Sequence, residues 1–509
     1  MRLLARLHFL MLPAALAAVA IFSPPAAAAE RPNVVFILSD DLGYGSLGCY
    51  GASTDLIQTP NCDRLAREGR RFTDANTTSS VCSPTRYAVV TGRYCWRTPL
   101  KSSVLGTTAR LHIETDRLTI ASMLKEHGYR TAAVGKWHLG YGDQLKVDFT
   151  QELTPGPLDI GFDYHFGVPS NHGDITGVFV EDRRVWGLKP GPLGRDLGNT
   201  FYGPPFLGLN APQREDKKVM EVLTDKAVAW LEKQKAGEPF FLYFTPVAVH
   251  EPVTPSDTTS GTSKAGPYGD FIHDLDLSVG RILDALDRLG VADNTLVIFT
   301  SDNGGALTLP GTPQAQDRSR YQAQAWAAGL KLNGDWRGRK HSIYEGGFRV
   351  PYLVRWPGHV PAGTVCDETI SLVDTLATVA AIVGHELPPA GEAAEKMAAE
   401  DSFSVLPAML GQQYKGPLRP HLIVHSADGV FAIRQDGWKW IEGKPFTGDV
   451  KDKKKKAPPK SRAEEFQEQL YNLTADPSEQ SDQLSAAAEK AASLRELLNE
   501  QRQRPTTRP

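Results

Sequence analysis

Asp40 and Asp41 close an apolar run, Val34-Val35-Phe36-Ile37-Leu38-Ser39, and Asp302 and Asn303 close a second run of the same form, Leu296-Val297-Ile298-Phe299-Thr300-Ser301. Together they offer three carboxylates and an amide oxygen, a set that repels itself unless a hard cation sits among them. Oxygen-only ligation points to Ca²⁺ or Mg²⁺ rather than zinc and makes no firm choice between the two, Mg²⁺ being the less expected. Either pair alone reads as an ordinary acidic turn after a strand. The recurrence of Ser-Asp-Asp/Asn after two such runs, with no longer internal repeat around it, points instead to a shared task at one sheet edge.

A second kind of chemistry centres on Cys82. The segment Val81-Cys82-Ser83-Pro84-Thr85-Arg86 leads through Tyr87 to Thr91 and then Gly92, which predicts a helix with proline in its first turn and glycine just past its end. Cys82 then sits at a helix N-terminus, where free backbone N–H groups attract anions, and Arg86 lies one turn on along the same face. Lys136 and His138 follow the run Thr131 to Val134, and His250 follows Phe240 to Phe244. Taken singly, a cysteine at a helix start reads as a packed small residue and a lone histidine as a hydrogen-bonded structural one. Their common place after strands is what marks them.

These segments resemble the formylglycine-dependent sulfatases of the alkaline phosphatase superfamily, whose signature is C-x-P-x-R followed by T-G-R. Here it reads Cys82-Ser83-Pro84-Thr85-Arg86, then Val90-Thr91-Gly92-Arg93, and the likeness extends through residues 33–44, 58–72, 135–140, 161–167, 302–304, 337–351 and 470–477. Thr85 stands where serine or alanine is commoner and Val90 where leucine is; neither replaces the required Cys, Pro or Arg.

The resemblance implies that a formylglycine-generating enzyme oxidises Cys82 to formylglycine (3-oxoalanine). Its hydrate would offer one oxygen to a metal held by Asp40, Asp41, Asp302, Asn303 and residue 82 itself, and a second oxygen to attack sulfur. Attack displaces the alcohol, and sulfate leaves as the aldehyde re-forms. Arg86, one turn on from Cys82, can hold the nucleophile or an anionic group. By the same resemblance Lys136 in Gly135-Lys136-Trp137-His138 and Lys340 in Arg337-Gly338-Arg339-Lys340 contact sulfate, His138 touches the formylglycine hydroxyl, and His250 in His250-Glu251-Pro252 protonates the leaving alcohol. Asn171 and His172 fall near a substrate-facing position, and Arg337 reads equally as a surface ion-pair residue. The implied activity is hydrolysis of a sulfated carbohydrate or aryl sulfate. The same fold hosts phosphate and phosphonate ester hydrolysis, and a catalytically silent protein that binds sulfated glycans is the alternative from another class.

To bring these residues together the chain must build a sheet. Continuous apolar runs alternating with helical stretches predict an α/β fold, a large α/β/α sandwich with a mostly parallel mixed sheet, whose ligands sit beyond the carboxyl ends of the strands. Two Gly/Pro-rich stretches, 187–212 and 305–332, read as long loops rimming a pocket; Trp186, Trp326 and Trp336 in or beside them either stack on sugars or anchor the loops. Beyond residue 400, short strands at 421–425, 430–434 and 438–442 and apolar residues at helical spacing, Leu484, Ala487, Ala491, Leu494 and Leu498, predict a small antiparallel sheet with a closing helix. The lysine-rich run 451–460 reads as a solvated loop or, less simply, a contact for a sulfated polymer. The expected layout is a signal peptide over 1–29, a catalytic domain over 30–400 and an α+β subdomain over 401–509.

The 509-residue chain carries a formal net charge of -3, too weak a field to point to nucleic acid or an acidic membrane. Arg2 and Arg6 before an apolar run from Phe9 to Phe22, then Ala27-Ala28-Ala29, read as a secretory signal; the run is short, contains Pro13 and lacks a basic stop-transfer flank, so no stable membrane insertion is expected. The expected destination is a periplasm or the cell exterior. Five cysteines without a C-x-x-C pair make neither a disulfide scaffold nor a zinc site; with Cys82 consumed, the other four are free or form one or two bridges.

Overall fold

The computed structural model describes residues 31–191, 201, 208–235, 237–307, 320–445 and 464–508. The expected signal segment and the lysine-rich run lie outside these, as do parts of both Gly/Pro-rich stretches. A ten-stranded mixed sheet runs in the order Thr364–Cys366, Arg70–Phe72, Tyr352–Arg355, Thr295–Ser301, Asn33–Ser39, Phe240–Thr245, Arg130–Lys136, Tyr164–Val168, Val180–Glu181, Arg184–Val185. The five strands from Thr295–Ser301 to Tyr164–Val168 are mutually parallel. Asn33–Ser39, Thr295–Ser301 and Phe240–Thr245 are buried at every position, the pattern that helices on both faces impose. Val34, Phe36 and Leu38 face a core shared with Val89 and Val90 of the helix Cys82–Thr91, Met123 of Ile120–Glu126 and Val379 of Thr375–Val383. Val35 and Ile37 face the opposite core, with Leu65 of Pro60–Glu68, Leu223 of Val219–Leu231 and Leu275 of Pro267–Arg288.

The two like-sequenced strands pair residue for residue, Asn33 with Thr295 through Ser39 with Ser301. Asp40 therefore emerges beside Asp302 and Asp41 beside Asn303. Gly135, at φ +125, lets the next strand approach, since a Cβ there would stand 2.0 Å from the Thr245 carbonyl oxygen; only glycine avoids that clash and holds that φ without strain. Lys136 is thereby delivered to the same edge.

A four-stranded antiparallel sheet, Leu422–His425, Val430–Gln435, Trp438–Pro445 and Gln469–Asn472, follows. The helix Ala488–Gln503 covers it, packing Ala491, Leu494 and Leu498 on Ile433, Phe431 and Trp440. Leu484 and Ala487 join that contact from the chain before the helix. The helix Arg320–Ala327 interrupts the second stretch expected to be loop; its Ala-rich, Pro-free sequence is locally helix-forming. All five cysteines are free thiols, and no helix among the described residues is long and apolar enough to cross a membrane.

Buried charge joins the small sheet to the large one. Arg434 donates to Asp74 at 2.7 and 3.1 Å and to Glu345 at 3.1 Å, Arg349 bonds Glu345 at 2.8 Å and lies 3.1 Å from Asp74, and Lys439 donates to Glu345 at 3.0 Å. Burial would raise the Asp74 carboxyl, but Arg349 and Arg434, with a hydrogen bond from Asn76, more than offset it and hold the group well below the usual range. Such a depressed carboxylate contributes stability that is complete above its unfolded value of about 4 and is lost as pH falls toward the folded value. We predict that Asp74→Asn costs about 3 kcal/mol at pH 7 and flattens the fall of the denaturant midpoint below pH about 4. An unchanged acid limb would refute the assignment.

Candidate active site

At the carboxyl edge the chain turns sharply to aim its side chains. Asp40 donates its N–H to the Ala248 carbonyl at 3.0 Å. Asp41 adopts the left-handed region at φ 59, which aspartate tolerates better than most residues, and its N–H reaches Asp302 Oδ1 at 3.2 Å. Ser301 Oγ accepts from the Leu42 N–H at 2.9 Å and donates to the Asn303 carbonyl at 3.0 Å. Neither serine of the paired motif was singled out from sequence, although their repetition in Ser-Asp-Asp/Asn was the available signal.

Cys82 is the first residue of the helix Cys82–Thr91, entered from extended Val81 and closed by Gly92 at φ 64. Every residue of that helix is buried, so it has no solvent stripe. Ser83 Oγ donates to the His138 carbonyl at 3.0 Å and accepts from Leu105 N–H at 3.1 Å, pinning the helix start to the loop after Lys136. Cys82 is 2% exposed, and its sulfur lies 3.7 Å from Lys340 Nζ and 3.9 Å from Asp40 Oδ1.

The charges interlock. Lys136 Nζ donates to both Asp40 oxygens at 2.9 and 2.8 Å, and Lys340 Nζ to the Asp41 carboxylate at 2.7 Å. Arg86 bonds Asp302 through Nε at 2.9 Å, with Nη2 at 2.8 Å, and donates Nη1 to the Lys136 carbonyl at 2.9 Å. Arg86 thus holds the carboxylates rather than residue 82 directly. Asn303 Nδ2 donates to Asp41 at 2.8 Å, while its Oδ1 is buried without a hydrogen-bond partner. One ligand atom each from Asp40, Asp41, Cys82 and His250 lie within 4.8 Å of one another.

Burial raises the Asp40 carboxyl, with Asp302 and Asp41 adding to it against Lys136 and Arg86. In Asp41 the opposite holds: Lys340, His250 and Lys136 outweigh burial and keep it well below the usual range. Burial pushes the Cys82 thiol up to about 12 despite both lysines. His138 and His250 are driven well below their ordinary value, first by burial and then by Lys136 and Lys340 respectively. His250 Nδ1 donates to the Glu251 carbonyl at 2.7 Å, which leaves Nε2, 3.8 Å from Asp41, as the acceptor nitrogen. His138, at φ 56, pairs Nε2 with the Leu105 carbonyl at 3.0 Å, and its Nδ1 is buried without a partner.

Asn171 and His172 lie outside this cluster, on the loop after Tyr164–Val168. His172 Nε2 meets Thr254 Oγ1 at 2.8 Å, beside the His250 segment, and burial together with the Arg214 and Lys136 charges lowers its ring to about 3. Asn171 Oδ1 is buried and unpartnered. Arg337 is an ion-pair residue, 2.6 Å from Glu464. Trp336 anchors its loop against Tyr44 and under Arg349 at 4.0 Å, whereas Trp186 and Trp326 are 38% and 44% exposed.

A buried set of cations around a polar cluster, at the carboxyl edge of a mixed α/β sheet with a helix N-terminus pointing into it, defines an ester hydrolase of the alkaline-phosphatase-like fold. The family model described as Sulfatase matches residues 32–385. An N-acetylgalactosamine-6-O-sulfatase of Bacteroides thetaiotaomicron is 35% identical, covering 92% of this chain and 93% of the relative. Arylsulfatase A of Homo sapiens is 33% identical over 91% and 85%. A solved structure reported from the metabolism of multiple glycosaminoglycans by Bacteroides thetaiotaomicron superposes with a TM-score of 0.80 at 34% identity, over 93% of this chain and 99% of that one. The chain belongs to the sulfatase family, and it is an enzyme that hydrolyses sulfate esters.

Removing Arg86 would strand the Asp302 carboxylate, 0% exposed, without its main counter-charge. We predict that Arg86→Met lowers the unfolding free energy by about 3–5 kcal/mol, read by denaturant titration; a variant as stable as the parent would show that Asp302 is compensated otherwise.

Proposed function

We propose that the enzyme releases sulfate from a sulfated carbohydrate, with residue 82 acting as formylglycine made from Cys82. The observation that carries this reading is the setting of Cys82: a thiol raised to about 12 by burial is a poor nucleophile at neutral pH, yet it stands 3.7 Å from one ammonium group and within the carboxylate cluster. A formylglycine hydrate there would supply an oxygen nucleophile.

The donor set fits a hard cation. Asp40, Asp41, Asp302 and the orphaned Asn303 Oδ1 are all-oxygen ligands, and with residue 82 they would hold Ca²⁺ in preference to Mg²⁺. The cation would supply Lewis-acid activation of the nucleophile. The remaining work falls to the chain's own groups. Lys136 and Lys340 face the charge that builds on the sulfuryl oxygens. Arg86 fixes the Asp302 carboxylate. His250, bound through Nδ1 to the Glu251 carbonyl, presents Nε2, which delivers a proton to the leaving alcohol from the imidazolium form that the Asp41 carboxylate favours, and His138 Nδ1 serves the hydroxyl of residue 82. Asn171 and His172 lie on a loop against the His250 segment and are assigned to the substrate's sugar.

The carbohydrate reading draws support from the N-acetylgalactosamine-6-O-sulfatase relative, so 6-O-sulfated N-acetylgalactosamine heads the compounds to test, with an aryl sulfate beside it. Export, on the N-terminal segment, and maturation by a formylglycine-generating enzyme complete the proposal.

Mass spectrometry of the peptide containing residue 82 from the native source is expected to show the aldehyde. Cys82→Ala is expected to lower turnover by more than about a thousandfold with the fold intact, and prolonged chelation to abolish it. Sulfate release by a chain whose residue 82 is unmodified would overturn the mechanism, and faster cleavage of a matched phosphate ester would overturn the substrate class.

A further inference from the structure

Lys340 is carried by residues 337–348, a segment that the sheet beyond residue 420 and the chain around it grip at several points. Ile343 N–H donates to Glu465 at 2.8 Å, Tyr344 Oη to Gln469 at 3.0 Å, and Arg337 to Tyr471 Oη at 3.0 Å and the Glu479 carbonyl at 2.7 Å. Ala427 N–H reaches the His341 carbonyl at 3.2 Å. The central grip is Glu479. Its Oε2 accepts the Glu345 N–H at 2.7 Å, and its Oε1 lies 2.8 Å from Lys439 Nζ, which also binds the Glu345 carboxylate at 3.0 Å. Glu479 is 0% exposed and holds a left-handed backbone at φ 54, a conformation that costs free energy in a non-glycine residue and persists where its surroundings over-determine it.

We propose that Glu479 is a positioning residue of the sulfatase reaction, acting through the Glu345 backbone and Lys439 to fix the segment that places Lys340 beside residue 82. From Glu345 the hold passes back along the segment: Gly346 N–H bonds the Arg337 carbonyl at 2.7 Å, and Lys340 N–H the Gly305 carbonyl at 3.0 Å. A carboxylate that spans two partners at once can hold this segment where a shorter side chain cannot. The proposal rests on the role given to Lys340 above.

The test measures sulfate release from a chromogenic aryl sulfate by the matured full chain. Glu479→Ala is expected to lower kcat/KM on the order of tenfold to a hundredfold. In a Lys340→Ala background the same change is expected to alter it by no more than about twofold, because coupled residues are not additive. Glu479→Gln keeps an acceptor for the Glu345 N–H and is expected to restore most of the turnover. Unaltered kinetics in folded Glu479→Ala, or an equal loss in both backgrounds, overturns the proposal. Should the alanine chain not fold, Glu479→Asp, too short to span both partners, is compared with Glu479→Gln, and equal kinetics of the two overturn it. Native turnover in Lys340→Ala refutes the role of Lys340 itself and this inference with it. Native turnover in Glu479→Ala with Lys340→Ala inactive overturns this inference alone.

Discussion

Three carboxylates buried at the end of a parallel sheet are the constraint around which the molecule is arranged. Asp40, Asp41 and Asp302 are at most 3% exposed, and an uncompensated buried charge is far too costly to keep. Arg86, Lys136 and Lys340 balance them one for one, and each arrives from a different element: a wholly buried helix, a strand end, and a segment gripped from beyond residue 420. The helix Cys82–Thr91 lies inside the molecule because Arg86 must reach Asp302 from it. The Arg130–Lys136 strand needs Gly135 because Lys136 must emerge beside Thr245. Removing any one cation leaves a carboxylate without its nearest counter-charge, so packing and electrostatics cannot be altered independently here.

The same arrangement accounts for the chemistry. On the proposed mechanism, cations already fixed by carboxylates would need no reorganisation when negative charge develops on a bound sulfate ester, and a site closed to water would strengthen their effect. Asp41 and His138 accept left-handed backbones at φ 59 and 56, local strain at the two strand ends that carry the site. Ser301, between the Leu42 N–H and the Asn303 carbonyl, holds the first in place, and Ser83, donating to the His138 carbonyl, the second.

Much of this was legible in the chain because the relevant signals are local. A buried strand reads as an uninterrupted apolar run, so the polar residues after Ser39, Lys136, Thr245 and Ser301 stood out as one edge, and proline with glycine bounded the Cys82 helix. What stayed hidden is tertiary. Arg86 lies one turn from Cys82, a spacing that leaves open whether it holds the nucleophile or an anionic group, and only the fold brings its guanidinium to Asp302, 216 residues away. Asp74, Glu345, Arg349, Arg434, Lys439 and Glu479 form one buried cluster from five separate stretches of chain, and no periodicity or motif joins them. The helix Arg320–Ala327 was obscured by its Gly- and Pro-rich flanks, which dominated the reading of the whole stretch as loop.

Reaction class and substrate differ in legibility for a related reason. Sulfate is small and charged, so on the proposed reading its recognition falls to a few buried cations, of which Lys136 stands at a strand end and Lys340 is marked by the match at Arg337-Gly338-Arg339-Lys340. A sugar is recognised by hydroxyl geometry, through side chains on loops whose shape no strand dictates. Asn171, with a buried oxygen that bonds nothing in the protein, and His172, held to Thr254 rather than to the sheet, are the residues proposed for that second kind. Their placement depends on how the loop after Tyr164–Val168 packs against the His250 segment. A sequence can therefore specify what bond is broken long before it reveals which molecule carries that bond.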